Sequence, residues 1–450
     1  MLRKLIRKMS PARLIVSVYV LGILFITLLL MLPVSWKPGV RLSFIDALFT
    51  AASAVSVTGL TTVSTGDSFS VFGAAVLIFA FQFGGIGIMT LGSFYWFLLG
   101  ENIGLLERKL IMIDQNRNQL SGLVLLMRLV LLLTLAIELL GTVIFGVYFY
   151  TTGASDTIWS AFFNGLFHAV SAFTNAGFDL FGDSLIRYSD DYFVQSVTML
   201  LIVLGAVGFP VLAELTEWAR KKQKRFRFSL FTKVTMVTHA VLILLGFVVI
   251  WLTEAGHSFA NMPIHQQLMN ALFTSITSRS AGLTIIDMSS LHQASQLLIS
   301  VLMFIGASPS SVGGGIRTTT IAVIVIVMIN FAKGEKEIRL FNRSISKDDV
   351  YKSFVFLCMS VLLVIVGIFA VLMAEGHRYD LSAVLFEVTS AFGTCGLSTG
   401  ITGSLHVSGK ITLILLMFIG RIGMFLFFSL FTSGKKKPDI KYPEEKLIIG

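Results

Sequence analysis

Long apolar runs separated by short polar, often basic stretches organise this sequence, and the runs recur in a fixed order. Four of them, at residues 14–33, 129–150, 234–252 and 354–374, are long enough for a helix that crosses a ~30 Å hydrocarbon core. Four more, at 69–99, 192–218, 295–331 and 409–432, follow in the same order. Between the members of each pair lies a shorter segment that opens with Leu-Phe and closes on a glycine followed by an apolar residue. The copies read LFTAASAVSVTGL (Leu48 to Leu60), LFHAVSAFTNAGF (Leu166 to Phe178), LFTSITSRSAGL (Leu272 to Leu283) and LFEVTSAFGTCGL (Leu385 to Leu397); the third is one residue shorter. Their glycines, Gly59, Gly177, Gly282 and Gly396, are 118, 105 and 114 residues apart. A second glycine follows each by 24 to 28 residues: Gly84, Gly205, Gly306 and Gly420.

A period of this kind defines a structural unit. The middle segment is too short to span the core, so the pattern predicts a half-helix that enters the membrane and turns back at its glycine. The expected fold is an all-α integral membrane protein of four outer helix–re-entrant pore helix–inner helix repeats around a central pore, with fourfold pseudosymmetry. The repeats are expected at residues 1–100, 101–220, 221–333 and 334–434, with a cytoplasmic C-terminal tail at 435–450.

Composition supports lipid as the solvent: 55% of the residues are hydrophobic and 13% charged, where soluble domains carry about 25% charged residues. The net charge of +10 is concentrated at the N-terminus, Arg108 to Arg128, Arg220 to Lys233, Lys333 to Lys352 and Lys435 to Lys446. Connecting segments assigned to the opposite side carry only Lys37, Arg41, Arg187, Arg279, Arg378 and Lys410. This alternation predicts cytoplasmic N- and C-termini and half-helices that enter from outside. The basic runs then report topology and contact with membrane lipid, not nucleic acid.

The chemistry follows from the turns. Non-helical backbone at membrane depth is tolerated where it lines a water-filled cavity, and glycine permits turns in which carbonyls share one direction. Four such turns about an axis form a ring of oxygens that replaces an ion's hydration shell. The partially negative C-terminal ends of the half-helices favour cations there. The candidate filter is Val57, Thr58 and Gly59; Asn175, Ala176 and Gly177; Ser280, Ala281 and Gly282; and Thr394, Cys395 and Gly396. None is acidic, which suits a weakly hydrated monovalent cation better than calcium or magnesium.

The third inner run contains Gly306, Ala307, Ser308, Pro309, Ser310, Ser311, Val312, Gly313, Gly314 and Gly315. A straight helix of that run would measure ~55 Å, more than the bilayer needs, and the proline and glycines should break it. The expectation is a loop beneath the filter that acts as a gate. Arg421, directly after Gly420, falls at mid-membrane, where a bare arginine costs ~2.5–3.5 kcal/mol. It should face a wet ion path or be satisfied by loop carbonyls. Arg317 follows the triple glycine and belongs to the gate or snorkels to the interface. Glu138 stands alone in an outer run, and Glu387, in the fourth half-helix, is placed to brace filter backbone or to bind the ion. Asp46, Asp179 and Asp287 flank the half-helices outside, as caps or as a cation-concentrating mouth.

The two cysteines, Cys358 and Cys395, give no disulfide framework or metal-ligand spacing, and the seven histidines are scattered. No nucleotide-binding glycine motif follows a strand, and no catalytic grouping recurs, so neither an enzyme nor a covalent cofactor is expected. A secondary transporter for another solute also uses repeats, but typically two.

With these residues in place, the four units, the motifs SVTGL, TNAGF, SRSAGL and GTCGLS, the broken third inner run and FIGRIG together resemble the Trk/Ktr/HKT potassium transporter superfamily along nearly the whole chain. The likeness is greatest to the membrane subunit of bacterial Ktr systems. The resemblance implies a homodimer with one pore per protomer in a bacterial cell membrane. It implies potassium (K+) held at the filter carbonyls as the transported ion and sodium (Na+) as an activator. It carries over Gly59, Gly177, Gly282 and Gly396 as filter glycines, with glycine rather than serine at position 59 going with potassium. It also assigns Ala307 to Gly315 as the gating loop beside Arg421; family loops favour small Ser and Ala, so Pro309 departs from them in the direction of stiffness. A separate cytosolic ring of nucleotide-binding RCK domains is the implied regulatory partner.

Overall fold

The computed structural model describes residues 10–87, 112, 123–221, 226–335, 337–341 and 343–430. The expected tail at 435–450 and most of the basic run from Arg108 to Arg128 lie outside the described residues.

Each repeat has its predicted parts. In the first, α1 (Pro11–Leu30) crosses, α2 (Phe44–Ser56) re-enters and α3 (Val71–Gly85) returns. The second has α4 (Leu123–Thr151), α5 (Ile158–Thr174), α6 (Tyr192–Ala206) and α7 (Phe209–Lys221). The third has α8 (Leu230–Glu254), α9 (Ile264–Thr277), α10 (Gln293–Phe304) and α11 (Thr318–Ala332). A two-residue hairpin, β1 (Arg339–Leu340) with β2 (Arg343–Ser344), precedes the fourth, which has α12 (Lys347–Glu375), α13 (Leu381–Gly393), α14 (Val407–Ile422) and α15 (Met424–Ser429).

Among the described residues, the helices long and apolar enough to cross a membrane unbroken are the four outer ones. Their outward faces are apolar: Leu21, Phe25 and Leu28 of α1 are 63%, 55% and 66% exposed. An apolar stripe repeated on every outer helix would aggregate in water, and it matches lipid. The pore helices are the buried layer, and Phe81 of α3 packs on Phe167 and Phe178 of the second repeat at 5.6 and 5.0 Å between ring centres.

Carboxylates join outer to inner helices. Glu254, at the end of α8, accepts from the His292 amide that opens α10 (3.0 Å), and Glu375, at the end of α12, accepts from the His406 amide that opens α14 (2.7 Å). In the second repeat Asp191 caps α6 and accepts from the Tyr148 hydroxyl of α4 at 2.6 Å. These groups satisfy amides that a helix start leaves without partners.

Hydropathy predicts one broken inner helix, the third. The fold breaks the second and fourth as well: α6 gives way at Gly208 (φ +103°) to α7 at an angle of 105°, and α14 gives way at Gly423 (φ +80°) to α15; in the first, α3 ends at Gly85, close before Gly87 (φ +96°). Each of these glycines lies three residues after Gly84, Gly205 or Gly420. A left-handed φ ends the helix there while the apolar composition continues, so hydropathy alone reads through the break.

Candidate functional site

Three of the four pore helices end in the same way. Val57, Asn175 and Thr394 cap α2, α5 and α13 in the left-handed conformation (φ 57°, 55° and 48°), each two residues before its glycine. For the β-branched Val57 and Thr394 this costs about 1–2 kcal/mol each. Backbone bonds that close the helix offset it: the amides of Thr58, Ala176 and Cys395 reach the carbonyls of Ser53, Ser171 and Ser390 at 2.8, 2.8 and 2.9 Å. The Ser53 and Ser390 hydroxyls then accept from the Gly59 and Gly396 amides at 3.1 and 3.0 Å. Serine six residues before the glycine was visible in the aligned copies as the signal for this brace. The third copy, one residue shorter, ends α9 on Ser278 in ordinary helical geometry (φ −61°).

The four glycines meet. A methyl group placed on Gly59 would fall 2.7 Å from the Ala176 carbonyl oxygen, and one on Gly177 would fall 2.8 Å from that of Ala281. One on Gly282 would strike the Cys395 oxygen, and one on Gly396 the Thr58 oxygen. The contacts run from the first turn to the second, third and fourth and back to the first, so the turns close a ring in chain order. Glycine makes this approach possible without displacing the neighbouring turn, and all four have positive φ.

All twelve candidate filter residues are buried. None of their backbone carbonyls accepts a hydrogen bond from a described residue. Buried carbonyls without donors are rare in proteins, and those of Thr58, Ala176, Ala281 and Cys395 lie beside the glycines of the neighbouring turns, just past the ends of the four pore helices. Chemically, that is a set of neutral oxygen ligands in a partially negative field.

The inner helices press on the ring from behind. Methyls on Gly84, Gly205 and Gly420 would strike the carbonyls of Val55, Phe173 and Phe392, each four residues before a ring glycine. Gly306 departs from this register: a methyl there would strike Gly314 instead. Residues between α10 and α11 form a non-helical loop that includes the whole predicted stretch Gly306 to Gly315. The loop lies against the ring, with the Gly314 amide donating to Thr394 Oγ1 at 2.7 Å and Gly313 packed on Ser280. Other contacts reach the inner helices: Ser308 N to Ala206 O (3.2 Å), Phe209 N to Ser310 O (2.8 Å) and Gly315 N to Gly420 O (3.3 Å).

Arginines hold the loop by its carbonyls. Arg421, buried, donates to Val312 O in the loop and to Gly84 O, and to Gly85 O at 3.2 Å, at the end of α3. Arg317 turns back to Gly313 O (2.5 Å) and Ser308 O (3.3 Å). A cavity of about 120 Å³ borders the loop, with Tyr19, Ser311, Phe356 and both arginines in its wall. Sequence reasoning missed a third arginine, Arg279, which it treated as a topology exception; it donates to Gly306 O at 2.7 Å.

The acidic residues have partners within the fold. Glu387 accepts from the Thr399 amide (3.0 Å) and from the hydroxyls of Ser398 and Thr402, so it braces the segment after the fourth turn. Glu138 is paired with Gln82 of α3. Asp46 pairs with Lys410 at 2.8 Å, joining the first and fourth repeats, and Asp287 accepts from Ser289 N. Asp179 accepts from the Phe181 and Gly182 amides; burial pushes its carboxyl up from the ordinary value, and those amides oppose the shift.

Four helix–turn units closing a glycine ring behind apolar outer helices define an integral membrane protein. The chain belongs to the TrkH family, described as cation transport proteins, whose sequence model matches residues 15–437. It is 49% identical to Ktr system potassium uptake protein D of Bacillus subtilis (strain 168) over 447 residues, 99% of each chain. It is 36% identical to Ktr system potassium uptake protein B of the same strain, covering 98% of this chain and 97% of that one. It is 34% identical to the potassium/sodium uptake protein NtpJ of Enterococcus hirae, covering 100% and 99%. The crystal structure of the potassium transporter TrkH from Vibrio parahaemolyticus shares the fold, with a TM-score of 0.70 at 20% identity over 93% of this chain and 85% of that one.

Proposed function

We propose that this chain is the potassium-translocating subunit of a bacterial uptake system, in which the four turns are the selectivity filter. The observation that carries the reading is the ring that the four glycines close, within turns whose twelve buried residues have carbonyls with no described donor. Potassium loses its hydration shell at lower cost than sodium, and fixed neutral oxygens suit it. The names of the full-length relatives, potassium uptake proteins in both Ktr cases, support the same ion.

In this reading the loop from Gly306 to Gly315 is the gate. It packs against the ring, and Arg317 and Arg421 pin it by carbonyls it would otherwise expose. Arg421 adds positive charge below the filter, so loop and charge together oppose cation passage. Sodium acts as an activator, in line with a relative named for both ions. Two copies assemble, each with its own pore, in the bacterial cell membrane with cytoplasmic termini. A cytosolic RCK ring supplies the regulatory partner that the word "system" in the relatives' names supports.

The test is potassium uptake in cells stripped of their own uptake systems, wild type beside Gly59→Ser. Wild type should restore growth at low potassium, and the serine should weaken it at least tenfold while raising sodium permeability. Equal potassium and sodium behaviour of the two proteins would remove the filter assignment.

A further inference from the structure

Arg279 is the bulkiest fully buried side chain among the described residues, 1% exposed. Its Nη2 donates to Gly306 O at 2.7 Å, while Nε and Nη1 meet no acceptor. Among the described residues no carboxylate pairs with it. A buried guanidinium with one acceptor is a costly way to fill space, and an apolar side chain would pack there with no unmade bonds. Its location supplies a reason for its presence. It sits three residues before Gly282, in the one turn that lacks the left-handed cap.

In the other repeats the pore helix touches its inner helix through a carbonyl packed on Gly84, Gly205 or Gly420. The third repeat replaces that contact with the reach of Arg279 to the carbonyl of Gly306. Gly306 is where α10 has just ended and the loop begins, and it packs on Gly314 near the loop's far end. The same turn is tied sideways to the fourth, since Cys395 Sγ donates to Thr277 O (3.4 Å) and Ser278 O (3.5 Å).

We propose that Arg279 is a positioning residue that couples the third turn of the ring to the hinge of the loop. With the loop seated, the bond to Gly306 fixes where the Ser280 to Gly282 carbonyls stand. When the loop withdraws, Gly306 moves, the guanidinium is released to other acceptors, and the third turn relaxes. Ion selectivity therefore depends on loop position. This rests on the filter-and-gate reading above.

The experiment measures the K+ to Na+ permeability ratio of the full chain in proteoliposomes. Wild type, Arg279→Lys and Arg279→Gln are compared with the loop intact and with Ser308 to Ser311 deleted. With the loop intact, Arg279→Gln should lower the ratio at least tenfold and Arg279→Lys by an intermediate factor. With the deletion, Arg279→Gln should lower it less than twofold further. The same fold-change in both backgrounds, or no change with the loop intact, would overturn the coupling. Thermal melting reports whether each variant folds. If Arg279→Gln does not, a folded Arg279→Lys with a wild-type ratio overturns the proposal equally. Gly59→Ser is run alongside: a shift there without one at Arg279 removes only the coupling, and no shift in either removes the filter as well.

Discussion

In the first, second and fourth repeats, a left-handed residue ends the pore helix, and a glycine of the inner helix packs directly on the carbonyl four residues before the ring. In the third, the pore-helix segment is one residue shorter, the left-handed cap is absent, and the inner helix opens into a loop. The shorter copy ends its helix on Ser278 without a left-handed residue, yet Ala281 and Gly282 still take their places in the ring, so the difference falls on the packing behind it. The third inner helix therefore cannot use the packing that its counterparts share. It is joined to its turn by an arginine side chain, and the freed backbone lies beneath the ring. Three repeats share one packing of inner helix on pore helix, and the third stands apart from them.

Substituting the equivalent glycines breaks or sharpens this contrast most strongly. Gly205→Ala drives a methyl into the Phe173 carbonyl in the shared packing. It should destabilise the protein by about 1–3 kcal/mol and abolish uptake. Gly306→Ala meets the Gly314 carbonyl in the loop instead, so it should leave the melting temperature closer to wild type while changing the flux. Melting and uptake on the same purified variants separate the two. Equal loss of stability in both would mean that the third repeat is no softer than the second.

A smaller effect is expected at Thr394, the ring residue whose hydroxyl accepts from the Gly314 amide. Thr394→Val removes that bond and keeps the shape. An ordinary hydrogen bond contributes about 0.5–1.5 kcal/mol, which would favour the withdrawn loop by roughly twofold to thirteenfold and raise flux accordingly. Flux at or below the wild-type level would place this contact outside the gate.

Much of this was legible in the sequence because it is periodic. The four segments from Leu-Phe to glycine predicted the pore helices, and the glycines they end on are the four that meet. Pro309 and the triple glycine predicted the break in the third inner helix. Other features needed three dimensions. Gly87, Gly208 and Gly423 sit within apolar runs, and hydropathy does not register a change of φ. Glu254 and Glu375 act on the amides of His292 and His406, dozens of residues away, with no side-chain motif to connect them. Arg279 read as a stray positive charge because its partner is a carbonyl exposed only where α10 stops. The shortened third copy is plain in the sequence, but its consequence, a pore helix without a left-handed cap and a Gly306 that meets the loop, is not.

The central claim is that the converging carbonyls bind a dehydrated monovalent cation. Diffraction from the protein in thallium salt, an anomalous scatterer close to potassium in size, tests it directly. The account predicts anomalous peaks on the axis of the ring, coordinated by the backbone oxygens of Thr58, Ala176, Ala281 and Cys395 and their neighbours. Thallium density elsewhere in the protein with none on that axis would contradict it.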